Sequence, residues 1–408
     1  MLYWLLLALV TLAFLMDETL GLLDASVRRS DIDPRVADFY DAEKYHRSLA
    51  YRKDKATLAR AASAFSFLLT IGFLATGAFG RIDGLAASLI ENPRLRALAF
   101  FGAIALGSDL LTLAFDIYGT FRLEARYGFN KTTPATFVAD KLKGYLLGAV
   151  LGGGLLYLFM VLVGLLGSSF WIVFASVAVL VVILINMFYT SLILPLFNKL
   201  KPLPDGELKD AVQAYAARQN LSLQGVYVMD GSKRSTKANA FFSGLGPKKK
   251  IVLFDTLIEK HPVGELIAVL AHETGHLKLG HIPRGLLFSA VQITLTLWVF
   301  SLFIGNPSLS LAMGGDAYSL ELNLIAFGIL FGPLASVSGL AALISSRRHE
   351  YQADAFAART ASAVDMAGAL KRLSADNLSN LYPHPWYVFF NYSHPPLLRR
   401  LDGLESPG

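Results

Sequence analysis

Cysteine is absent from the 408 residues, which excludes disulfide bonds, thiolate metal sites and cysteine nucleophiles. Charge is scarce as well. Asp, Glu, Lys and Arg make 17% of the chain against 54% hydrophobic residues, and mean hydropathy is +0.48. That balance supplies too little polar surface for a soluble protein of this length and predicts an integral membrane protein. Internal repeats and low-complexity segments are also missing. The formal charge of +6 comes from Lys and Arg clustered between apolar runs. It reads as a juxtamembrane bias, so membrane lipids are expected as partners and nucleic acid is not.

What is present is a set of long apolar runs. About seven of them reach roughly 18 residues, enough at about 1.5 Å per residue to cross a hydrocarbon core of about 30 Å. They cover 2–23 (interrupted by Asp17 and Glu18), 61–79, 97–118, 145–166, 170–197, 285–304 and 322–344. The first lacks a basic leader and a small-residue cleavage site, so it is expected as a retained span. Basic residues collect in the first loop (Arg28, Arg29, Arg35, Arg47, Arg52, Lys53, Arg60), in the third (Arg122, Arg126, Lys131, Lys141, Lys143) and after the fifth span (Lys199, Lys201, Lys233, Arg234, Lys248 to Lys250). Between them, 167–169 and 306–319 carry none, and the second loop has only Arg81, Arg94 and Arg96. The positive-inside bias then puts the N-terminus outside and the C-terminus in the cytoplasm. Asp109 and Asp116 fall within the third run, where lipid exposure is costly. They are predicted to face the interior or a watery cavity, or to pair near the span ends.

Two stretches read as extramembrane, 198–284 and 345–408. In the first, LKDAVQAYAARQ has the period of an amphipathic helix, while GVYVMD, ANAFFSGL and KKIVLFD read as strands between Gly, Ser and Pro turns. The run HPVGELIAVLAHETGHLKLGH follows. His272 and His276 are four apart, so on a helix both imidazoles project from one face and can hold one ion at about 2.0 Å. Glu273 sits one step round, within reach of a metal-bound water, as a general base requires. Zinc needs a third protein ligand. His281 is nearest in sequence, but on a continuous helix it lies about 140° round from His276, which predicts a structural role at the helix end. In SSRRHEYQADAFAART, Glu350 and Asp354 are again four apart, so one can bind the metal while the other accepts a hydrogen bond from a ligand imidazole. His349 would point about 100° away from Glu350 on that helix.

HETGH and RRHEYQADAF, taken with NAFFSGLGPKKKIVLFDTLI, EARYGFNKTTPATF and SHPPLLRRL, resemble the CAAX prenyl protease 1 family of multi-pass zinc metalloproteases. The resemblance covers nearly the whole chain, and RYGFNKTT separates it from shorter relatives that share only the metalloprotease core. It implies His272, His276 and Glu350 as zinc ligands, Glu273 as catalytic base, Asp354 as support for a ligand, and one Zn2+ per chain. It also implies a mostly α architecture of about seven transmembrane helices enclosing an intramembrane chamber, with a small α+β cytoplasmic metalloprotease domain. His394 in SHPPLLRR, which the family places beside the zinc, is expected to donate to the oxyanion. Residues 239–245, with Asn239, Ala240 and Phe241 foremost, precede a turn at Gly246 and Pro247 and a strand from Lys249, and are expected to form a sheet edge that takes substrate as an added strand. Arg399 and Arg400 divide between supporting the acidic pair and facing lipid headgroups.

The expected organisation is 1–197 with spans one to five, 198–284 as the metalloprotease core, 285–344 with spans six and seven, and 345–408 as a catalytic tail. The expected function is cleavage of peptide bonds near the C-terminus of isoprenylated CAAX-type proteins or peptides. Two alternatives are an HtpX-like quality-control zinc protease and, from another class, a non-enzymatic zinc-stabilised lipid or ion carrier. Modest extramembrane loops and the absence of a terminal retention address point to a bacterial inner membrane rather than the endoplasmic reticulum.

Overall fold

The computed structural model describes residues 1–27, 29, 31–221, 224–244 and 250–405. Apolar helices dominate the first half: α1 (Leu2–Ser26), α2 (Ala42–Thr76), α3 (Ala78–Leu89), α4 (Pro93–Ile117), α5 (Pro134–Gly148), α6 (Gly154–Leu166), α7 (Phe170–Phe188) and the short α8 (Leu194–Phe197). Side chains that accept otherwise unpaired amides set several starts. Asp41 caps α2, Asn92 caps α4 and Thr133 caps α5, with Pro93 and Pro134 fixing φ in the first turn of the latter two.

Among the described residues, six helical stretches are long and apolar enough to cross a membrane, and one of them runs 64 residues from Pro134 to Phe197. At about 1.5 Å per residue it would extend about 95 Å, three times the hydrocarbon core, if it were straight. Gly167 (φ +53°) reverses it. The Phe159 ring lies 5.1 Å from that of Phe170 and 5.2 Å from that of Phe174, so α6 and α7 run side by side and the seven-span reading holds.

Boundaries shift in two places. The second span ends at Thr76 rather than Phe79, because Gly77 takes a left-handed conformation (φ +64°) and a new helix begins. There the backbone passes the segment 313–319 so closely that a Cβ on Gly80 would sit 1.9 Å from the Gly314 carbonyl oxygen. Lys141 and Lys143, expected in a loop, lie on α5. Lys141 Nζ reaches Asp109 at 2.7 Å and Asp116 at 2.8 Å, so both intramembrane aspartates are paired with one cation.

A small mixed layer follows: β1 (Leu200–Pro202), α9 (Glu207–Arg218), β2 (Gly225–Met229), β3 (Ala240–Ser243), β4 (Lys250–Phe254), α10 (Asp255–Lys260) and α11 (Val263–Lys278). The sheet order is β1-β2-β4-β3, with β2 and β4 parallel and the outer pairs antiparallel. α9, β2, β3 and β4 fall on the segments read from the sequence. β1 was not foreseen, since LKP carries no alternation. Arg28, Leu245, the turn at Gly246 and Pro247, and Lys248 and Lys249 lie outside the described residues.

The chain closes with α12 (His281–Phe303), α13 (Pro307–Ala312), α14 (Leu320–Thr360), α15 (Ala363–Asp376), α16 (Pro385–Asn391) and α17 (Leu397–Glu405). α14 has 41 residues, about 60 Å of helix, so it outlasts the hydrocarbon core by several turns. Those turns pack on α11 in a core that joins sheet and helices through Ile251, Leu257, Ala268, Ala271, Ala357, Ala369 and Leu401, each fully buried.

Candidate metal centre

HETGH occupies the last turns of α11, and small residues decide how near α14 comes to it. A Cβ on Gly275 would lie 3.0 Å from Ala353 Cα and 3.1 Å from Phe356 Cβ. Glycine is what admits this contact. Because Ala353 lies between Glu350 and Asp354 on the same helix, the close approach delivers both carboxylates to the histidines.

The three expected ligands converge. His272 Nε2 and His276 Nε2 are 3.2 Å apart, and Glu350 places Oε2 3.5 Å from the first and Oε1 3.3 Å from the second. Ligand atoms held at about 2.0–2.2 Å from a tetrahedral ion stand about 3.3–3.6 Å from one another, so the triangle has the edges of a zinc site. Glu350 Oε2 is buried with no hydrogen-bond partner, an orphan that a cation would satisfy. Among the described residues, this is the one set of three or more His, Asp or Glu side chains whose ligand atoms gather within 4.8 Å.

Outer contacts fix both imidazoles. Asp354 Oδ1 lies 2.9 Å from His272 Nδ1, so Nδ1–H donates and the Nε2 lone pair faces the triangle. Arg400 grips Asp354 with two bonds, Nε to Oδ2 at 2.8 Å and Nη2 to Oδ1 at 2.6 Å. For His276 the support is His281, with the two Nδ1 atoms 3.0 Å apart, while His281 Nε2 meets Gln352 Oε1 at 2.9 Å. An amide oxygen only accepts, so His281 carries its proton on Nε2 and accepts on Nδ1. His276 must then donate from Nδ1, leaving its Nε2 free.

The helical projection for His281 fails for a definite reason. α11 ends at Lys278, Gly280 turns left-handed (φ +71°), and α12 restarts at His281, which resets the phase and swings the ring back to His276. It stands outside the triangle, in contact with His276. His349 stacks on His281 with ring centroids 3.9 Å apart and points away from the triangle.

Glu273 is half-buried. Burial pushes its carboxyl above the ordinary range, His272 and His276 pull it back, and the Phe242 amide donates to it. That amide belongs to the free edge of β3. Phe254 N–H donates to Asn239 C=O at 3.1 Å, so alternation turns residues 239, 241 and 243 toward β4 and leaves the main-chain groups of Ala240 and Phe242 facing outward. Asn239 Oδ1 accepts from the Ala240 amide at 2.9 Å. Phe241, named from the sequence, therefore spends its main chain on β4.

His394 stands in the α16–α17 loop with Nε2 3.4 Å from Glu350 Oε1, its side chain 63% exposed. Of the arginine pair, Arg400 is buried against Asp354 and Arg399 points outward. A signal for this was available: Leu397, Arg400, Leu401 and Leu404 share one helical face, and the three leucines are buried.

Residues 25–199 match the family described as CAAX prenyl protease N-terminal, five membrane helices, and residues 202–407 match peptidase family M48. The CAAX prenyl protease 1 homolog of Oryza sativa subsp. japonica is 34% identical over 377 residues, covering 89% of this chain and 88% of its own. CAAX prenyl protease 1 of Saccharomyces cerevisiae is 32% identical over 401 residues (92% and 88%), and the Homo sapiens homolog 31% over 426 residues (92% and 89%). The crystal structure of S. mikatae Ste24p superposes with a TM-score of 0.94 at 30% identity, covering 100% of this chain and 99% of that one. With both halves matched, and relatives aligned across nine-tenths of its length, the chain belongs to the CAAX prenyl protease 1 family of M48 metallopeptidases.

Proposed function

We propose that the protein is a multi-pass membrane zinc endopeptidase that cleaves peptide bonds near the C-terminus of isoprenylated CAAX-type proteins or peptides. The observation that carries this is the triangle of His272, His276 and Glu350, with edges of 3.2–3.5 Å, beside the half-buried Glu273. Bound zinc supplies Lewis acidity and lowers the pKa of a coordinated water toward about 7. Glu273 takes a proton from the attacking water and passes it to the leaving amine. Burial raises the affinity of its carboxyl for protons, which favours taking one up. His394, exposed beside Glu350, donates to the oxyanion. The peptide joins the outer edge of β3 by donating to the carbonyls of Ala240 and Phe242, whose own amides are held by Asn239 Oδ1 and Glu273.

The four-part organisation at 1–197, 198–284, 285–344 and 345–408 keeps the catalytic groups on one face, and the basic loops argue that this face is cytoplasmic with the N-terminus outside. Modest extramembrane loops favour a bacterial inner membrane. The carrier alternative loses its supposed aspartate path, because Lys141 is paired with both Asp109 and Asp116.

The test uses purified protein with a farnesylated and an unmodified CAAX peptide, with and without chelator, and mass spectrometry of the fragments. Glu273→Gln should keep its metal and lose about 10²- to 10⁴-fold in turnover. Full turnover in that variant, or cleavage that survives complete metal removal, would overturn the assignment.

A further inference from the structure

We infer that the cavity beside His394 receives the free C-terminal carboxylate of the substrate, with Lys55 and Arg52 as its anion-binding groups. This rests on the peptidase reading above and adds how the enzyme measures its cut from the end of the chain.

The cavity encloses about 640 Å³ and is lined both by His394 and Arg400 and by a stripe of α2 formed by Arg52, Lys55, Ala56 and Ala59. Those four positions follow the i, i+3, i+4, i+7 spacing of one helical face. The two alanines keep the wall low between the cations and the site.

Five charged side chains line this space: Asp24, Arg52, Lys55, Lys237 and Arg400. Three are already engaged. Lys237 pairs with Glu124 at 2.9 Å, Arg400 holds Asp354, and Asp24 accepts from the His384 amide at 2.9 Å and from Asn380 Nδ2. Arg52 is different. It donates to Asn380 Oδ1 at 2.9 Å and to the Val27 carbonyl at 3.0 Å, both neutral acceptors, and among the described residues no carboxylate pairs with it. Among the described residues, Lys55 meets only the face of Tyr51, 5.9 Å from its Nζ. Asp24 likewise meets only neutral donors, so two cations stand against one carboxylate on this wall, and the surplus positive charge at a cavity that begins at the catalytic groups calls for an anion. A peptide cut near its end supplies one, because at about 3.3 Å per residue a three-residue leaving segment carries its carboxylate about 10 Å beyond the scissile bond. A fixed guanidinium beside a mobile ammonium suits a carboxylate that must bind and then leave with the product.

The test compares one farnesylated peptide as the free acid and as the C-terminal amide, with the protein in neutral phosphatidylcholine vesicles. The wild type should show a KM about tenfold or more higher for the amide, with the difference in KM rather than kcat. In Lys55→Gln the KM for the acid should rise toward the wild-type value for the amide, so that the two changes are not additive. Lys55→Arg should restore the preference. Arg52 also braces Asn380, so Arg52→Gln is scored only where its melting temperature matches wild type, and there it should behave as Lys55→Gln does. Equal KM values for acid and amide would overturn the inference and leave the peptidase intact. So would a dependence on anionic lipid that Lys55→Gln removes, which would assign the cations to a headgroup phosphate. Failure to cleave either peptide with metal bound would overturn both readings.

Discussion

At its N-terminal end α14 buries Glu321 and Asn323 to 1% and 0% exposure, and about 40 Å further along the same helix it buries Glu350 and Asp354 to 4% and 2%. Burial does not tell the two ends apart; what their polar atoms meet does. At the first end Asn323 Nδ2 donates to the Ile304 and Asn306 carbonyls at 2.9 and 3.0 Å, and its oxygen accepts from Ser310 at 2.7 Å. Glu321 accepts from Ser319 at 3.0 Å and faces Arg96 at 3.5 Å. These two side chains are saturated, and they tie α13 and the α12–α13 turn to the start of α14. At the second end Asp354 is saturated but Glu350 is not. One of its oxygens makes no hydrogen bond, with Arg400 Nη1 3.5 Å away, and lies among two imidazole nitrogens whose other faces are occupied. A buried polar group whose bonds are all made is architecture. One left open where other ligand atoms converge has been kept for something that arrives later.

The largest effect that can test this contrast is expected from Glu350→Gln. The amide keeps the shape but loses the charge and the ligand strength, so bound metal should fall from about one per chain toward none, and proteolysis by about 10³-fold or more. Elemental analysis alongside turnover reads both. Metal content that stays at one per chain would break the comparison at its strong end. A smaller effect is expected from Asp354→Asn, which leaves the triangle in place but weakens the acceptor that fixes the His272 tautomer and the charge that balances Arg400. Metal affinity should fall about 10- to 100-fold while a saturating supply of zinc restores most of the activity. A chelator titration with a metal-buffered activity assay separates these outcomes. Loss that excess zinc cannot restore would show Asp354 acting in the reaction itself.

How much of this was legible in the chain depends on how local each interaction is. His272, His276 and Glu273 could be read because all three lie within one helical turn of each other. Glu350 and Asp354 shared that spacing, but nothing in it says which one joins the histidines; the approach of α14 at Gly275 and Ala353 brings Glu350 into the triangle. His281 was misplaced in angle because Gly280 turns left-handed, and a glycine does not announce its φ. The partner of Asp109 and Asp116 is hidden because Lys141 reads in sequence as a loop residue, whereas α5 begins at Pro134 and carries it alongside α4. Arg52 reads in sequence as one more basic residue at the membrane edge, and Lys55 carries no signal of its own. Their position on the cavity wall follows from the packing of α2 against the C-terminal segment, which no window of sequence contains.

The smallest effect on catalysis, and the sharpest test of the contrast, is expected at the saturated end. Asn323→Leu removes a side chain that satisfies two carbonyls and one hydroxyl, all in buried surroundings. Leaving such acceptors unpaired costs about 1–3 kcal/mol, enough to lower the melting temperature by several degrees. Because α14 is one helix, a rigid-rod view would pass that disturbance to Glu350. The packing argues otherwise: the ligand end is held locally by Gly275 against Ala353 and by Arg400 on Asp354, contacts that do not involve the far end. Metal content and turnover per folded molecule should therefore match wild type at temperatures well below the transition. A proportional loss of both would mean that the helix transmits strain over about 40 Å, and that its two ends form one device.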